Sequence, residues 1–159
     1  MLALSDTMVR ILKTLPLLKR VSPESIEILA AYMQIFRVRE GEEIIRWGRR
    51  AETLYITISG DYMMAFPDGS AFTLHGSGEV IGMNAMLNQG RYTAKALALT
   101  DGSLMALYRS GRDRMLEDHP RFADRIHRSI QAYLNQRQAQ KNSGEIFVDE
   151  DFSRGGKNA

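Results

Sequence analysis

The spacing of apolar residues along this chain is helical at both ends and alternating in between. From Met8 to Leu18, the residues Ile11, Leu12, Leu15 and Leu18 fall on one side of a short amphipathic helix, and Pro16 interrupts it or opens a second turn. Ser22-Pro23 reads as the next helix start. The serine oxygen can cap the first turn, and the proline sits where an N–H would have no intrahelical partner. That helix is predicted to run to Tyr32, with Ile26, Leu29 and Ala30 facing inward. From Met33 the period falls to two, the period of a strand. Phe36 and Val38 alternate with Arg37 and Arg39, and Glu43 to Trp47 forms a second strand closed by Gly48. Leu54, Ile56 and Ile58 alternate with Tyr55, Thr57 and Ser59 in a third, which Gly60 breaks and Asp61 to Phe66 continues. Pro67-Asp68-Gly69-Ser70 carries the residue types of a hairpin turn between MMAF and AFTL. Thr93 to Leu99 and Ser103 to Tyr108 complete the strands, with Asp101-Gly102 turning one into the other.

The helical period then returns. Ser110 is the predicted cap, and Met115, Leu116, Phe122, Ala123, Ile126, Ile130, Tyr133 and Leu134 form one apolar stripe. His119-Pro120 is a point at which this helix can divide. Beyond about Gln138 the chain is polar and ends glycine-rich, too poor in apolar groups to offset the entropy of ordering, apart from the patch EIFVDEDF. The pattern therefore predicts a mostly β chain with flanking helices: N-terminal helices over 8–32, an antiparallel sandwich or roll over 33–108, and a long C-terminal helix over 111–137. These make one domain, 1–140, followed by a tail, 141–159, expected to be disordered.

Composition narrows the chemistry more than it names it. At 159 residues the chain suits one domain that can bury a core without staples. Cysteine is absent, which removes disulfides and thiolate metal sites. The N-terminus MLALSDTMVR lacks the charged start and apolar run of a secretory leader, and no apolar run nears the roughly 20 residues of a membrane span. A cytoplasmic location is the expectation. A net charge of +2 is too small to argue for nucleic acid.

Candidate chemistry centres on Gly78 to Ala94, GEVIGMNAMLNQGRYTA. Gly78 and Gly82 can take backbone angles that other residues resist, and a helix start at Gly82 to Ala85 would offer amides and a positive dipole end to a small anion. The plainer alternative is an ordinary strand–turn–strand connection. His75, His119 and His127 are too scattered to hold a metal, and no Ser/His/Asp arrangement or paired acids at catalytic spacing are legible, so no enzyme activity is expected. The cluster Arg46-Trp47-Gly48-Arg49-Arg50 can contact a nucleic-acid backbone, but a solvated turn is the favoured reading.

Taken in order, these pieces resemble the cyclic-nucleotide-binding domain family. Leu15-Pro16-Leu17-Leu18 with Ser22-Pro23-Glu24 is similar to its entry helices, and Gly41-Glu42-Glu43-Ile44-Ile45, Gly48, Leu54-Tyr55-Ile56 and Ser59-Gly60 to its first strands. Gly78 and Gly82 fall where its cassette glycines fall, and Asp101 with Leu104 to Leu107 resembles its last strand; the likeness spans 11–137. It implies a double-stranded β-helix, a jelly-roll-like β-roll, with a ligand-binding cassette at Gly82, Met83, Asn84, Ala85, Met86, Leu87, Arg91, Tyr92, Thr93 and Ala94. The family's usual cassette carries a Glu for the ribose 2′-hydroxyl and an Arg for the cyclic phosphate. Met83 and Tyr92 stand at those places here, so the cassette reads as degenerate. Truncating one member of a buried charge pair costs ~2–5 kcal/mol, enough to move a micromolar site toward millimolar. Arg91, one residue away, would have to swing in to compensate.

The resemblance thus implies a stand-alone, non-catalytic regulatory or sensor module that binds cyclic AMP or GMP weakly or not at all. The alternatives are a true cyclic-nucleotide sensor with rewired contacts and a ligand-free interaction scaffold. No cofactor is expected beyond a cyclic nucleotide or other small anion. Expected partners are a small molecule in the cassette, a protein, and a second copy of the chain docked through Phe122, Ile126, Ile130, Tyr133 and Leu134. DNA-binding relatives carry a further helix-turn-helix domain after the long helix, for which the remaining residues are too few.

Overall fold

Prolines and glycines set where the elements of this chain start and stop. The computed structural model describes residues 4–86, 90–142 and 157–158. Helix α1 (Leu4–Lys13), a 3-10 turn at Pro16–Leu18 and helix α2 (Pro23–Ala31) precede the strands. Pro16 therefore opens a separate turn, as its missing N–H requires. At the start of α2 the Ser22 side chain accepts a hydrogen bond from the Ser25 amide at 3.2 Å, so the predicted cap is formed. Ile26, Leu29 and Ala30 are buried as expected.

Eight strands follow: β1 (Gln34–Val38), β2 (Glu43–Ile45), β3 (Thr53–Ser59), β4 (Asp61–Ala65), β5 (Ala71–His75), β6 (Val80–Ile81), β7 (Lys95–Ala98) and β8 (Gly102–Tyr108). They form two antiparallel sheets, ordered β1-β8-β3-β6 and β2-β7-β4-β5, and a two-residue β9 (Lys157–Asn158) extends the second beyond β5. This is the predicted roll. The Pro67–Ser70 hairpin joins β4 to β5, with Gly69 at φ 91° and the Phe66 amide donating to the Ser70 carbonyl. The rest of the expected tail, 143–156 and 159, lies outside the described residues.

Two features of the roll differ from the alternation in the sequence. Strand β3 was expected to bury one face only, yet Leu54, Tyr55, Ile56 and Thr57 are all buried. It lies between β8 and β6, and Phe36 of β1 packs its ring on Tyr55 at 5.6 Å. Thr57 is tolerated at 0% exposure because its hydroxyl accepts from the Glu79 amide at 3.0 Å. The glycine-bracketed run after Gly78 is not all loop, since Val80 and Ile81 form β6 against β3.

The long C-terminal helix is two helices, α3 (Arg109–Asp118) and α4 (Pro120–Asn142). His119 takes φ −139° and ψ 66° between them, because the ring of the following proline pushes its predecessor out of the α region. Ser110 lies inside α3 and does not cap it; Tyr108 holds the cap position and contributes no side-chain bond. Gly111 lets α3 cross close to the end of α2, since a Cβ there would meet the Tyr32 carbonyl oxygen at 2.8 Å. Tyr32 in turn donates to the Asp118 carboxylate at 2.7 Å. The stripe expected to face a second copy is interior instead. Phe122, Ala123, Ile126 and Ile130 are buried in their own chain, Ile130 at 2% exposure, because α4 folds back over the Pro16–Leu18 turn and α3. Tyr133 is half-buried against the same core, and the side chain of Leu134 is outside the described residues.

Candidate functional site

The cassette is built around one glycine and one tyrosine. Gly82, at φ 83°, turns the chain out of β6 into the 3-10 turn Met83–Met86, and the Ala85 amide donates to the Gly82 carbonyl at 3.0 Å. The expected helix N-terminus is thus a single tight turn with that amide used internally. A Cβ on Gly82 would stand 2.9 Å from the Tyr92 ring and 3.0 Å from the Thr53 carbonyl oxygen, so only glycine admits this approach. The Tyr92 hydroxyl closes the arrangement. It accepts from the Thr53 amide at 3.0 Å and donates to the Thr53 carbonyl at 2.7 Å. Burial pushes the Tyr92 phenol up from its ordinary pKa, with its hydrogen bonds to the backbone working the other way, so it stays neutral and keeps both roles at physiological pH. The phenol is thus fastened to the start of β3.

Arg91 is turned to the outside. Its guanidinium donates to the Gly48 carbonyl at 2.9 Å, on the exposed turn between β2 and β3. Backbone bonds hold it there: the Gly48 amide to the Tyr92 carbonyl at 2.8 Å, the Tyr92 amide to the Arg49 carbonyl at 2.9 Å, and the Ala51 amide to the Gly90 carbonyl at 2.9 Å. The RWGRR cluster is this exposed turn. Arg46 is paired with Glu43 at 2.6 Å, a contact that holds the Glu43 carboxyl below its usual range, and Trp47 is 37% exposed.

Behind the cassette lies a cavity of about 70 Å³. Ile45 of β2, Met64 of β4, Phe66 of the hairpin, Phe72 and Leu74 of β5 and Val80 of β6 form its walls, and Gly82, Met83, Asn84, Tyr92, Thr93 and Ala94 complete the lining. Six of the ten predicted cassette positions therefore meet at one space. Ala85 is buried elsewhere in the core and Arg91 points away; the side chain of Met86 and all of Leu87 are outside the described residues. Among the described lining residues none carries a formal charge. Met83 is buried with 7% exposure and presents a thioether to the space. Asn84 spends its amide on the Arg91 carbonyl at 2.6 Å, and Thr93 is exposed at the mouth.

Three features were not anticipated from the sequence. Phe66 and Phe72 stack with centroids 5.8 Å apart and line one wall, and the pairing of β4 with β5 brings them together. The Arg112 guanidinium, on α3, donates to the Ala85 carbonyl in the cassette turn, so the turn is tied to the C-terminal helices. On the outer face of the second sheet, His75 contacts Asp61 at 2.9 Å and Thr73 at 3.0 Å through its two ring nitrogens. This carboxylate–imidazole–hydroxyl line was not legible before the strands were paired. It lies on a flat face, with the His75 and Asp61 side chains 60% and 43% exposed, away from the cavity, and nothing there shields a reaction from water.

Comparison with known proteins agrees with this architecture. The profile of the family described as Cyclic nucleotide-binding domain matches residues 35–119, more than half of the 159. The Cyclic AMP receptor protein of Thermus thermophilus is 30% identical over 102 residues, 62% of this chain and 47% of that protein. Glutaminase 1 of Bradyrhizobium diazoefficiens is 30% identical over 124 residues, 77% of this chain and 20% of the relative. The chain thus spans less than half the length of these curated relatives. Among solved structures, the N-terminal domain of a transcriptional regulator from Streptomyces coelicolor superposes with a TM-score of 0.67 at 25% identity, covering 87% of this chain and 98% of that one.

Proposed function

The chain belongs to the cyclic nucleotide-binding domain family, and within that family we propose that it is a non-catalytic regulatory module whose cassette does not hold a cyclic nucleotide tightly. The observation that carries this reading is the state of the phosphate position. Tyr92 stands there and is bonded to Thr53, while Arg91 is bonded to Gly48 on the outside. A cyclic phosphate entering the cavity would bring a negative charge into a space whose described walls carry no cation. The ribose would meet the Met83 thioether in place of a carboxylate.

The module signals through the cassette's attachment to α3. A ligand that displaces the Met83–Met86 turn changes the bond between Ala85 and Arg112, and the packing of α3 on α4 carries the displacement to the C-terminal helices. Such a ligand shifts the equilibrium only by its differential affinity for the two positions. The cavity beside the cassette turn supports a small-molecule effector. Calorimetric titration with cyclic AMP and cyclic GMP tests the reading. The expected dissociation constants are no tighter than roughly high-micromolar, from the lost charge contacts, and sub-micromolar binding of either would overturn it.

A further inference from the structure

We infer that the cassette cavity is a binding site for a neutral, mainly apolar small molecule carrying a single polar group that sits at the mouth. The inference rests on the reading of the cassette as one that does not hold a nucleotide, and it names the ligand class that reading leaves open. The walls are aliphatic, thioether and aromatic: Met64, Phe66, Phe72, Leu74, Val80 and Met83. The stacked pair Phe66 and Phe72, 5.8 Å apart, gives one wall a planar aromatic surface that a flat molecule can extend. At about 70 Å³ the cavity lies below the ~300–1,000 Å³ of drug-sized sites, so the molecule it takes is small.

The polarity is graded. Leu74 and Val80 in the lining are 1% and 5% exposed, while Thr93 is an exposed residue. An entering molecule loses its hydration over the apolar part and keeps one hydrogen bond at Thr93. A carboxylate or phosphate would have to surrender its hydration with no described cation in the lining to replace it. Three cations adjoin lining residues in sequence, and each has another partner: Arg91 is 2.9 Å from the Gly48 carbonyl, and Arg46 and Lys95 lie 2.6 and 3.8 Å from the Glu43 carboxylate. Methionine at two wall positions lets the site adapt to the outline of what it holds, since the thioether chain is flexible and polarisable.

The two wall methionines also provide the test. In the full chain labelled with ¹³C at the methionine methyls, indole serves as a neutral probe and indole-3-acetate as the same ring with a carboxylate. Indole is expected to shift the Met64 and Met83 methyls along a saturating curve with a midpoint below about 1 mM, leaving Met33, Met105 and Met115 unmoved. Indole-3-acetate is expected to bind at least about tenfold more weakly. Shifts that do not saturate, that spread to Met33, Met105 and Met115, or that indole-3-acetate matches at equal concentration would overturn the inference. So would silence with indole in a protein that also ignores cyclic AMP; the regulatory reading would then survive without this ligand class. Sub-micromolar binding of cyclic AMP would remove the reading beneath it.

Discussion

Arg112 of α3 donates to the carbonyl oxygen of Ala85, which joins the cassette turn to the C-terminal helices across a sequence gap of 27 residues. The Arg112 side chain is 27% exposed and also lies 3.8 Å from Asp113, so the guanidinium is held from both sides. Replacing it by alanine removes a charge-assisted bond, at a cost of about 1–2 kcal/mol for a partly exposed site. Arg112→Ala is therefore expected to lower the melting temperature modestly. It is also expected to speed hydrogen exchange at Ala85, while amides in the middle of α4 keep their protection. Equal acceleration along α4 would mean that the bond stabilises the whole domain and does not link two parts of it.

The Tyr92–Thr53 pair makes a separate prediction. Tyr92→Phe leaves the Thr53 amide and carbonyl without their partner and is expected to cost about 1–3 kcal/mol, read as a lower denaturant midpoint with an unchanged slope. Gly82→Ala should cost more. It forces an L-residue into φ 83° and drives a methyl to 2.9 Å from the Tyr92 ring. In the double variant the two losses should not add, because the ring that blocks the methyl is freed once its hydroxyl anchor is gone.

For the C-terminal stripe the structure reverses the expected outcome of mutation. Ile130 is 2% exposed, so Ile130→Ala is expected to destabilise the domain by about 2–5 kcal/mol without changing its sedimentation. Leu116, 53% exposed on α3, should tolerate serine within about 0.5 kcal/mol. A dimer that Ile130→Ala converts to a stably folded monomer would restore the stripe as an interface.

Alkaline pH should unfold the protein through two tyrosines. Burial is the main cause that pushes Tyr55 and Tyr62 up to about 12, from an ordinary value of 10.0. A folded-state pKa above the unfolded one means that the native state holds the proton more tightly. The associated stability is complete below pH 10 and is lost as pH rises toward 12. The melting temperature should fall over that window, and Tyr62→Phe should flatten part of the fall. Ultraviolet titration at the tyrosinate band should show a late phase near pH 12 that Tyr62→Phe reduces.

Local physics wrote much of this protein into its sequence. Ser22-Pro23 starts α2, and Pro67 to Ser70 turns β4 into β5, because capping and turn geometry depend on a few adjacent residues. The order of helices and strands could be read for the same reason. His119 before Pro120 marked where the C-terminal helix divides.

What required the tertiary structure was every question of which way a side chain points and what covers it. Alternation marks which residues share a face but not whether the other face is also covered; Tyr55 and Thr57 are buried where the Phe36 ring and the Glu79 amide meet them. The stripe from Phe122 to Ile130 was visible, yet whether its own chain or a second copy buries it depended on the angle at which α4 folds back. Arg91 and Tyr92 are neighbours whose roles were settled by backbone bonds to Gly48 and Arg49, more than 40 residues earlier in the chain. The Asp61–His75–Thr73 line was within reach, since counting back from the hairpin places Asp61 opposite His75, but it needed the register first. Sequence neighbours fix local geometry through short-range sterics and hydrogen bonds; the cavity and its charge-free walls come from residues of four strands and the cassette turn, which only packing brings together.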